Sequence, residues 1–131
     1  MNIALLASDS KKRLMQNFCV AYSNILSANS LFSTDTTGQL IERAAGLRVR
    51  KFLSGGLGGE KQLSAQIGNN DLDMVIFLLD SDNPETPRKH AELINVCDAN
   101  LIPLATNLAT AEMLILGLER GDLEWRQYFK P

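Results

Sequence analysis

The chain has 131 residues, of which 45% are apolar and 21% charged, and its formal net charge is −2. These values are typical of one soluble globular domain, here spanning residues 1–131. The charge gives no positive field that would recruit a nucleic acid polymer or an anionic membrane. No apolar run approaches the length of a membrane span, and "MNIALLASDS" has no basic residue before its apolar run, so it is expected to be a first strand and not a signal peptide. We expect a cytoplasmic protein.

The cysteines and the histidine give no metal-ligand pattern. Cys19 and Cys97 lie far apart, and His90 is the only histidine. A metal site needs several such ligands at short spacings. We therefore expect two buried free thiols in a reducing compartment, and neither a metal nor a cofactor.

Apolar runs of strand length alternate with helix-length periodic segments along the chain. Strands are predicted at 3–7, 30–34, 49–54, 72–80 and 101–106. Helices are predicted around Leu14 to Tyr22 and at 37–45, 60–68, 89–99 and 109–119. The alternation predicts an α/β fold, a three-layer sandwich in which helices cover both faces of a mainly parallel five-stranded sheet. The continuously apolar "IALLA" and "MVIFLL" fit strands that are buried on both faces.

The strand-to-helix junctions are rich in Ser, Thr, Gly, Asp and Asn: they read "ASDSKK", "STDTTG", "LSGGLGG", "LLDSDNPETP" and "ATNLAT". Ligands bind at this end of parallel strands. Turn formation and helix capping explain part of the composition. Hydroxyls and glycines before helix N-termini also suit an anion. The residues therefore predict a phosphate pocket built by Lys12, Thr34, Thr36, Thr37, Ser54 and Gly55.

The chain resembles the methylglyoxal synthase family from about residue 2 to residue 117. The resemblance is carried by "IALLASDSKK", "STDTTGQLIERAAGL", "LSGGLGGEKQ", "DMVIFLLD" and "IPLATNLATAEMLI". It implies the methylglyoxal synthase-like (Rossmann-like) fold, a homo-oligomer (a hexamer, or a dimer or trimer) and a phosphate held by the same six residues. Further candidate ligand contacts are Ser8, Asp35, Gly38, Gly56 and Asn107.

Members of the family convert dihydroxyacetone phosphate to methylglyoxal and phosphate, and the resemblance implies which positions here would handle protons. The family's first-loop histidine corresponds to Ser8, which is followed by Asp9, and its catalytic aspartate corresponds to Glu60. Asp80 matches the aspartate after the fourth strand. The next loop is one residue shorter than the family's, so its histidine falls on Thr86 or Pro87 and its aspartate on Lys89 or His90.

Two interpretations follow from this pattern. Because the anion-holding residues are kept while at least three proton-handling positions differ, the first expectation is binding with little or no catalysis. The ligand would be a phosphorylated small molecule, a nucleotide or a nucleotide-derived signal that the protein senses or sequesters. The alternative is a divergent methylglyoxal synthase, a carbon–oxygen lyase with Glu60 as the base, Asp9 and Asp80 orienting the substrate, and His90 as the proton donor. An interaction module with a vestigial pocket is a third possibility.

The C-terminal segment "LEWRQYFKP" leaves two interpretations open. Trp125, Tyr128 and Phe129 would pack in the core, as terminal aromatic clusters often do. They could instead cap a neighbouring subunit's pocket and stack on a base. In that case Arg126 would contact an anion across the interface.

Overall fold

The computed structural model describes residues 1–52 and 58–128. The strands are β1 (Asn2–Ala7), β2 (Ser30–Thr34), β3 (Val49–Phe52), β4 (Met74–Leu78) and β5 (Leu104–Ala105). The α-helices are α1 (Lys12–Ala21), α2 (Ser23–Leu26), α3 (Asp35–Ala45), α4 (Gly59–Gly68), α5 (Thr86–Lys89), α6 (Ala91–Ala99) and α7 (Leu108–Arg120). Two 3₁₀ helices, Asp9–Lys11 and Glu124–Gln127, complete the described elements.

The strands form one five-stranded sheet in the order β3-β2-β1-β4-β5. All four neighbouring pairs are parallel. The predicted α/β fold with a mainly parallel sheet is therefore confirmed. The direction of strand addition reverses between β1 and β4, which opens a crevice beyond the carboxyl ends of these two strands.

The two central strands explain why their sequences are continuously apolar. In β1, Ile3 and Leu5 pack into the core under one set of helices, while Ala4 and Leu6 pack into the core on the other face. β4 alternates in the same way. Both faces are buried because helices lie on each of them, as expected for a parallel sheet. The first core includes side chains of α1, α3 and α7, and the second includes side chains of α4 and α6.

The last strand, β5, is much shorter than the strand predicted from the apolar run 101–106. Leu101 has a left-handed backbone (φ 53°), which is uncommon for a residue with a Cβ and marks a turn. Pro103 has no N–H to donate to a neighbouring strand. The register with β4 therefore begins with Leu104 opposite Val75, and the Pro103 carbonyl only accepts a hydrogen bond, from the Val75 N–H at 3.0 Å.

Arg126 is buried inside its own chain, which corrects the expectation that it could reach an anion across an interface. Its guanidinium donates hydrogen bonds to the Leu101 carbonyl (2.6 Å) and to Asn70 Oδ1 (2.8 Å). It also forms an ion pair with Asp73 at 3.5 Å. Trp125 and Tyr128 are exposed, so they do not pack in the core, and Phe129 lies outside the described residues. Since one chain is described, the homo-oligomer stays a prediction.

Cys19 and Cys97 are buried free thiols, as expected. Burial raises the pKa of each thiol to about 12. A thiol that stays protonated at neutral pH is a poor nucleophile, so neither cysteine is a candidate for covalent chemistry. Within 1–52 and 58–128, the longest and most apolar helices still fall short of what a membrane crossing requires.

Candidate functional site

A cavity of about 670 Å³ lies at the carboxyl ends of the strands, around the crevice between β1 and β4. Its volume is in the range of small-molecule sites. Eight of the side chains predicted from sequence line it: Ser8, Asp9, Lys12, Thr34, Thr36, Glu60, Asp80 and His90. They come from five separate segments of the chain that only the parallel sheet brings together.

One side of the cavity presents groups that suit an oxyanion. Thr34 ends β2, and Thr36 lies in the first turn of α3, where helix N–H groups and the helix dipole favour negative charge. The Lys12 ammonium donates a hydrogen bond to Thr37 Oγ1 at 2.9 Å and lies 3.4 Å from the Ala7 carbonyl oxygen. The Lys12 ammonium is therefore directed to the threonine segment.

Asp80 is fixed at the end of β4 by hydrogen bonds on several sides. Its backbone N–H donates to Ser8 Oγ at 3.1 Å. Its backbone carbonyl accepts from the Thr86 hydroxyl at 2.8 Å, and its Oδ1 accepts from the Asp82 N–H at 3.0 Å. Ser8 thus connects the loop after β1 to the loop after β4.

Glu60 and His90 form a pair on the other side of the cavity. His90 Nδ1 lies 2.8 Å from Glu60 Oε1 and 3.0 Å from Oε2. Since an ionised carboxylate only accepts hydrogen bonds, Nδ1 carries the proton in this contact. The imidazole also packs at a tilt on Phe77, with ring centroids 4.7 Å apart, and its side chain is 8% exposed. The contact fixes both side chains and leaves Nε2 as the remaining polar atom of the ring.

The charges that line the cavity are mixed. Lys12 and Lys89 are its cations, and Asp9, Glu60 and Asp80 are its carboxylates. The Asp9–Lys12 distance is 3.6 Å, but the Asp9 carboxylate is fully exposed, so this pair contributes little to stability. Among the residues that the structure describes, no group of three or more His, Cys, Asp or Glu side chains is arranged to hold a metal ion.

Four of the predicted ligand contacts that the structure describes do not line this cavity, and each has a local structural contact instead. Thr37 is buried and accepts the hydrogen bond from Lys12 at 2.9 Å. Asp35 is exposed and accepts a hydrogen bond from Gln39 within α3. Gly38 lets α3 approach β3 closely, because a Cβ there would lie 2.9 Å from Lys51 Cγ. Asn107 caps α7 by accepting from the Thr110 N–H at 3.0 Å, and it lines a neighbouring cavity. The predicted contacts Ser54, Gly55 and Gly56 lie outside the described residues.

The structure adds cavity residues that sequence reasoning did not select as site residues. They are Ser10, Phe77, Asn83, Thr86 and Lys89, together with Leu6 and Ala7 at the end of β1. Phe77 gave no signal because strand residues alternate between the two faces, and an all-apolar run does not reveal which face is which. Thr86 and Lys89 fell in a loop whose register against the family was ambiguous by one residue.

Comparison with known proteins shows the same family along the whole chain. A family model described as the MGS-like domain matches residues 15–106. A methylglyoxal synthase of Caldicellulosiruptor saccharolyticus is 53% identical, and the match covers 100% of this chain and 94% of that protein. A methylglyoxal synthase of Alkaliphilus metalliredigens is 52% identical, with 99% and 98% covered. The crystal structure of methylglyoxal synthase from Elizabethkingia anophelis has a TM-score of 0.79 at 34% identity, and the match covers 87% of this chain and 76% of that one.

These comparisons contradict the expectation of binding without turnover. Relatives that share about half of their residues with this chain over its full length are named as enzymes, and none of these comparisons supports sequestration. The expectation was wrong because it judged each altered position by residue type alone. The fold places an imidazole against the Glu60 carboxylate at 2.8 Å, so two titratable side chains lie in contact in the cavity.

The matched region extends from within α1 to β5 and holds most of the cavity-lining segments. The full-length relatives extend the match to the first strand and the last helix. The sheet order and the cavity at the strand ends belong to the same span. The chain therefore belongs to the methylglyoxal synthase family, whose domain is the MGS-like domain.

Proposed function

We propose that this protein is a methylglyoxal synthase, which converts dihydroxyacetone phosphate to methylglyoxal and inorganic phosphate. The full-length similarity to proteins named for this reaction supports the proposal. The structural observation that carries it is the pairing of Glu60 with His90 in a cavity that also holds Lys12. The cavity thus combines a potential base, a potential acid and an anion-binding side.

In this proposal, the substrate phosphate lies between Lys12 and the Thr34–Thr36 segment. The lysine supplies a compact positive charge, and the first turn of α3 supplies backbone N–H groups and a favourable dipole. The predicted contacts at Ser54 and Gly55 belong to the same proposal.

Glu60 is proposed as the base that removes a proton from the hydroxymethyl carbon, which lies on the side of the carbonyl away from the phosphate ester. The resulting enediolate expels phosphate by breaking its carbon–oxygen bond, and the remaining enol becomes methylglyoxal on protonation. A glutamate reaches further than an aspartate, and displacement by about 1 Å can cost on the order of 100-fold in rate. The hydrogen bond from His90 to the Glu60 carboxylate limits how far this longer side chain can move.

His90 is proposed as the proton donor to the developing oxyanion. Its Nδ1 is engaged by Glu60, so proton donation would proceed from Nε2 of the imidazolium. Asp80 is held just after β4, which suits a carboxylate that orients the single hydroxyl group of the substrate. Asp9 is proposed to orient the substrate from the loop after β1. A buried imidazole with a carboxylate partner is a common arrangement for general acid–base catalysis.

The test is turnover of dihydroxyacetone phosphate by the purified protein, with methylglyoxal and phosphate measured together. We expect equal amounts of the two products. Glu60→Gln should lower kcat by about 100-fold or more, because a positioned base contributes on the order of 10²–10⁴-fold. Glu92→Gln is the matched control, since Glu92 occupies the first turn of α6 but is exposed and does not line the cavity. Absence of turnover by the native protein, or an equal rate in Glu60→Gln, would contradict the proposal.

A further inference from the structure

Thr86 is a buried threonine in the wall of the cavity, and its hydroxyl has a specific partner. The side chain is 7% exposed, and its Oγ1 donates a hydrogen bond to the Asp80 carbonyl at 2.8 Å. Thr86 also lines a second cavity of about 440 Å³. It therefore stands between the two cavities and attaches the start of α5 to the end of β4.

A chain of hydrogen bonds leads from Asp80 through Thr86 to the catalytic pair. The Thr86 carbonyl accepts from the His90 N–H at 3.2 Å. Residues four apart lie on the same side of a helical turn, so Thr86 and His90 follow one another on one face. The His90 ring then contacts Glu60 at 2.8 Å. Three successive contacts thus connect Asp80, in the loop after β4, with Glu60 in the first turn of α4.

The short helix α5 cannot hold this geometry by itself. It has four residues, with Pro87 in its first turn. A single isolated helical turn is unstable in water, because the first hydrogen bond costs the ordering of several residues. The buried Thr86 hydroxyl provides a tertiary anchor for the turn, and its partner Asp80 is itself fixed by Ser8.

We propose that Thr86 is a positioning residue that holds the His90 imidazole against Glu60 by anchoring α5 to the Asp80 carbonyl. Its effect on turnover rests on the proposed function, whereas its effect on the ring position does not. Thr86 does not act on the reacting atoms; it sets where the proton donor and the base lie relative to the strand ends.

The first measurement is the NMR spectrum of the imidazole ring, because His90 is the only histidine in the chain. Glu60→Gln serves as a reference, because its spectrum shows how the His90 ring signals change when the carboxylate partner is replaced. We expect Thr86→Val, which removes the hydroxyl but keeps the shape, to shift the ring signals away from those of the native protein. Thr86→Ser keeps the hydroxyl and should retain the native ring signals. If Thr86→Val does not fold, Thr86→Ala takes its place.

The second measurement is kinetic. We expect Thr86→Val to lower kcat by about 10–100-fold, the effect of a small displacement of catalytic groups. Its KM should change by no more than about twofold, because the phosphate side of the cavity is untouched. Thr86→Ser should restore most of kcat.

The two measurements separate failure of this inference from failure of the proposed function. Native ring signals in Thr86→Val, or equal disturbance in Thr86→Ser and Thr86→Val, would overturn the positioning role whether or not the protein turns over its substrate. Absence of turnover by the native protein together with the expected ring shifts would overturn only the proposed function.

Discussion

Glu42 is a single residue whose environment has a direct effect on stability. Its Oε1 lies 2.6 Å from the Lys51 ammonium, and its Oε2 accepts a hydrogen bond from the Val49 N–H at 3.0 Å. The hydrogen bond from Lys51, followed by that from Val49, lowers the pKa of Glu42 below its ordinary value. Because the folded-state pKa is the lower one, this carboxylate stabilises the folded protein above the unfolded-state pKa. The contribution is lost as the pH falls through the folded-state value.

We predict that Glu42→Gln lowers the free energy of unfolding at neutral pH, since the ion pair between α3 and β3 is lost. The difference between the native protein and the variant should shrink as the pH falls below about 4.3, the ordinary pKa of a glutamate. Denaturant unfolding at a series of pH values measures it. Glu119→Gln, at an exposed glutamate, is the control. A difference that is the same at neutral and acid pH would contradict the prediction.

At single residues, the sequence predicts which side chains reach the cavity better than it predicts which of them contact one another. Lys12 and Thr36 follow from their positions beside helix starts, and the structure places both at the cavity. The Glu60–His90 contact joins residues that are 30 positions apart. It arises because α4 and α6 pack on the same face of the sheet, and no local pattern in the sequence encodes that proximity.

At the scale of elements, the C-terminal 3₁₀ helix is attached to the sheet through one side chain. Arg126 enters beside Asn70, Asp73 and the Leu101 carbonyl, which precede β4 and β5. These groups lie at the amino ends of the strands, opposite the cavity. A buried guanidinium with several acceptors is costly to disrupt, because removal of one partner leaves buried polar groups uncompensated.

We predict that Arg126→Ala lowers the free energy of unfolding by about 3–5 kcal/mol, the usual effect of breaking a buried ion pair. Urea unfolding measures this loss. Arg120→Ala is the matched control, because Arg120 pairs with Asp122 at an exposed site and such a pair contributes about 0–1 kcal/mol. At temperatures where Arg126→Ala remains folded, its kcat should equal that of the native protein. Equal losses in the two variants would show that the buried contacts contribute no more than surface ones.

The elements themselves are predicted well where hydrophobic period and length agree. The segment 30–34 is a strand with the expected bounds, and β4 lies inside the predicted 72–80. The helix predicted from residue 37 begins earlier, at Asp35, because it follows the last residue of β2, the extended Thr34, without an intervening loop. The sequence does not predict the helical turn Thr86–Lys89, most of which precedes the predicted helix 89–99, since the anchor of this turn is a tertiary contact with Asp80.

At the scale of the whole molecule, the alternation of strands and helices was enough to predict the sheet and the edge at which the cavity lies. The order β3-β2-β1-β4-β5 then determines which loops become neighbours. This order depends on how the helices cross the sheet, and local sequence patterns do not specify it. Because β1 and β4 are neighbours, Ser8 lies next to Asp80. The two loops that carry these residues bring the two sides of the cavity together.

Because folding assembles the cavity, an anion that binds there should stabilise the entire fold by mass action. A ligand at 100 times its dissociation constant adds about 2.7 kcal/mol to the free energy of unfolding. We predict that inorganic phosphate raises the melting temperature of the native protein, and that Lys12→Met loses most of this rise. The comparison uses the phosphate-induced change for each variant, since loss of the Lys12–Thr37 hydrogen bond also affects stability without ligand.

Lys11→Met is the matched control for this measurement. Lys11 is the neighbouring lysine, but it lines the second cavity and not the first. Lys11→Met should show the same phosphate-induced rise in melting temperature as the native protein. This variant therefore also controls for the general stabilising effect of phosphate salts on folded proteins. Thermal unfolding over a range of phosphate concentrations gives an apparent dissociation constant for each variant. If Lys12→Met and Lys11→Met responded alike, the stabilisation would come from the salt and not from an anion held against the threonine segment.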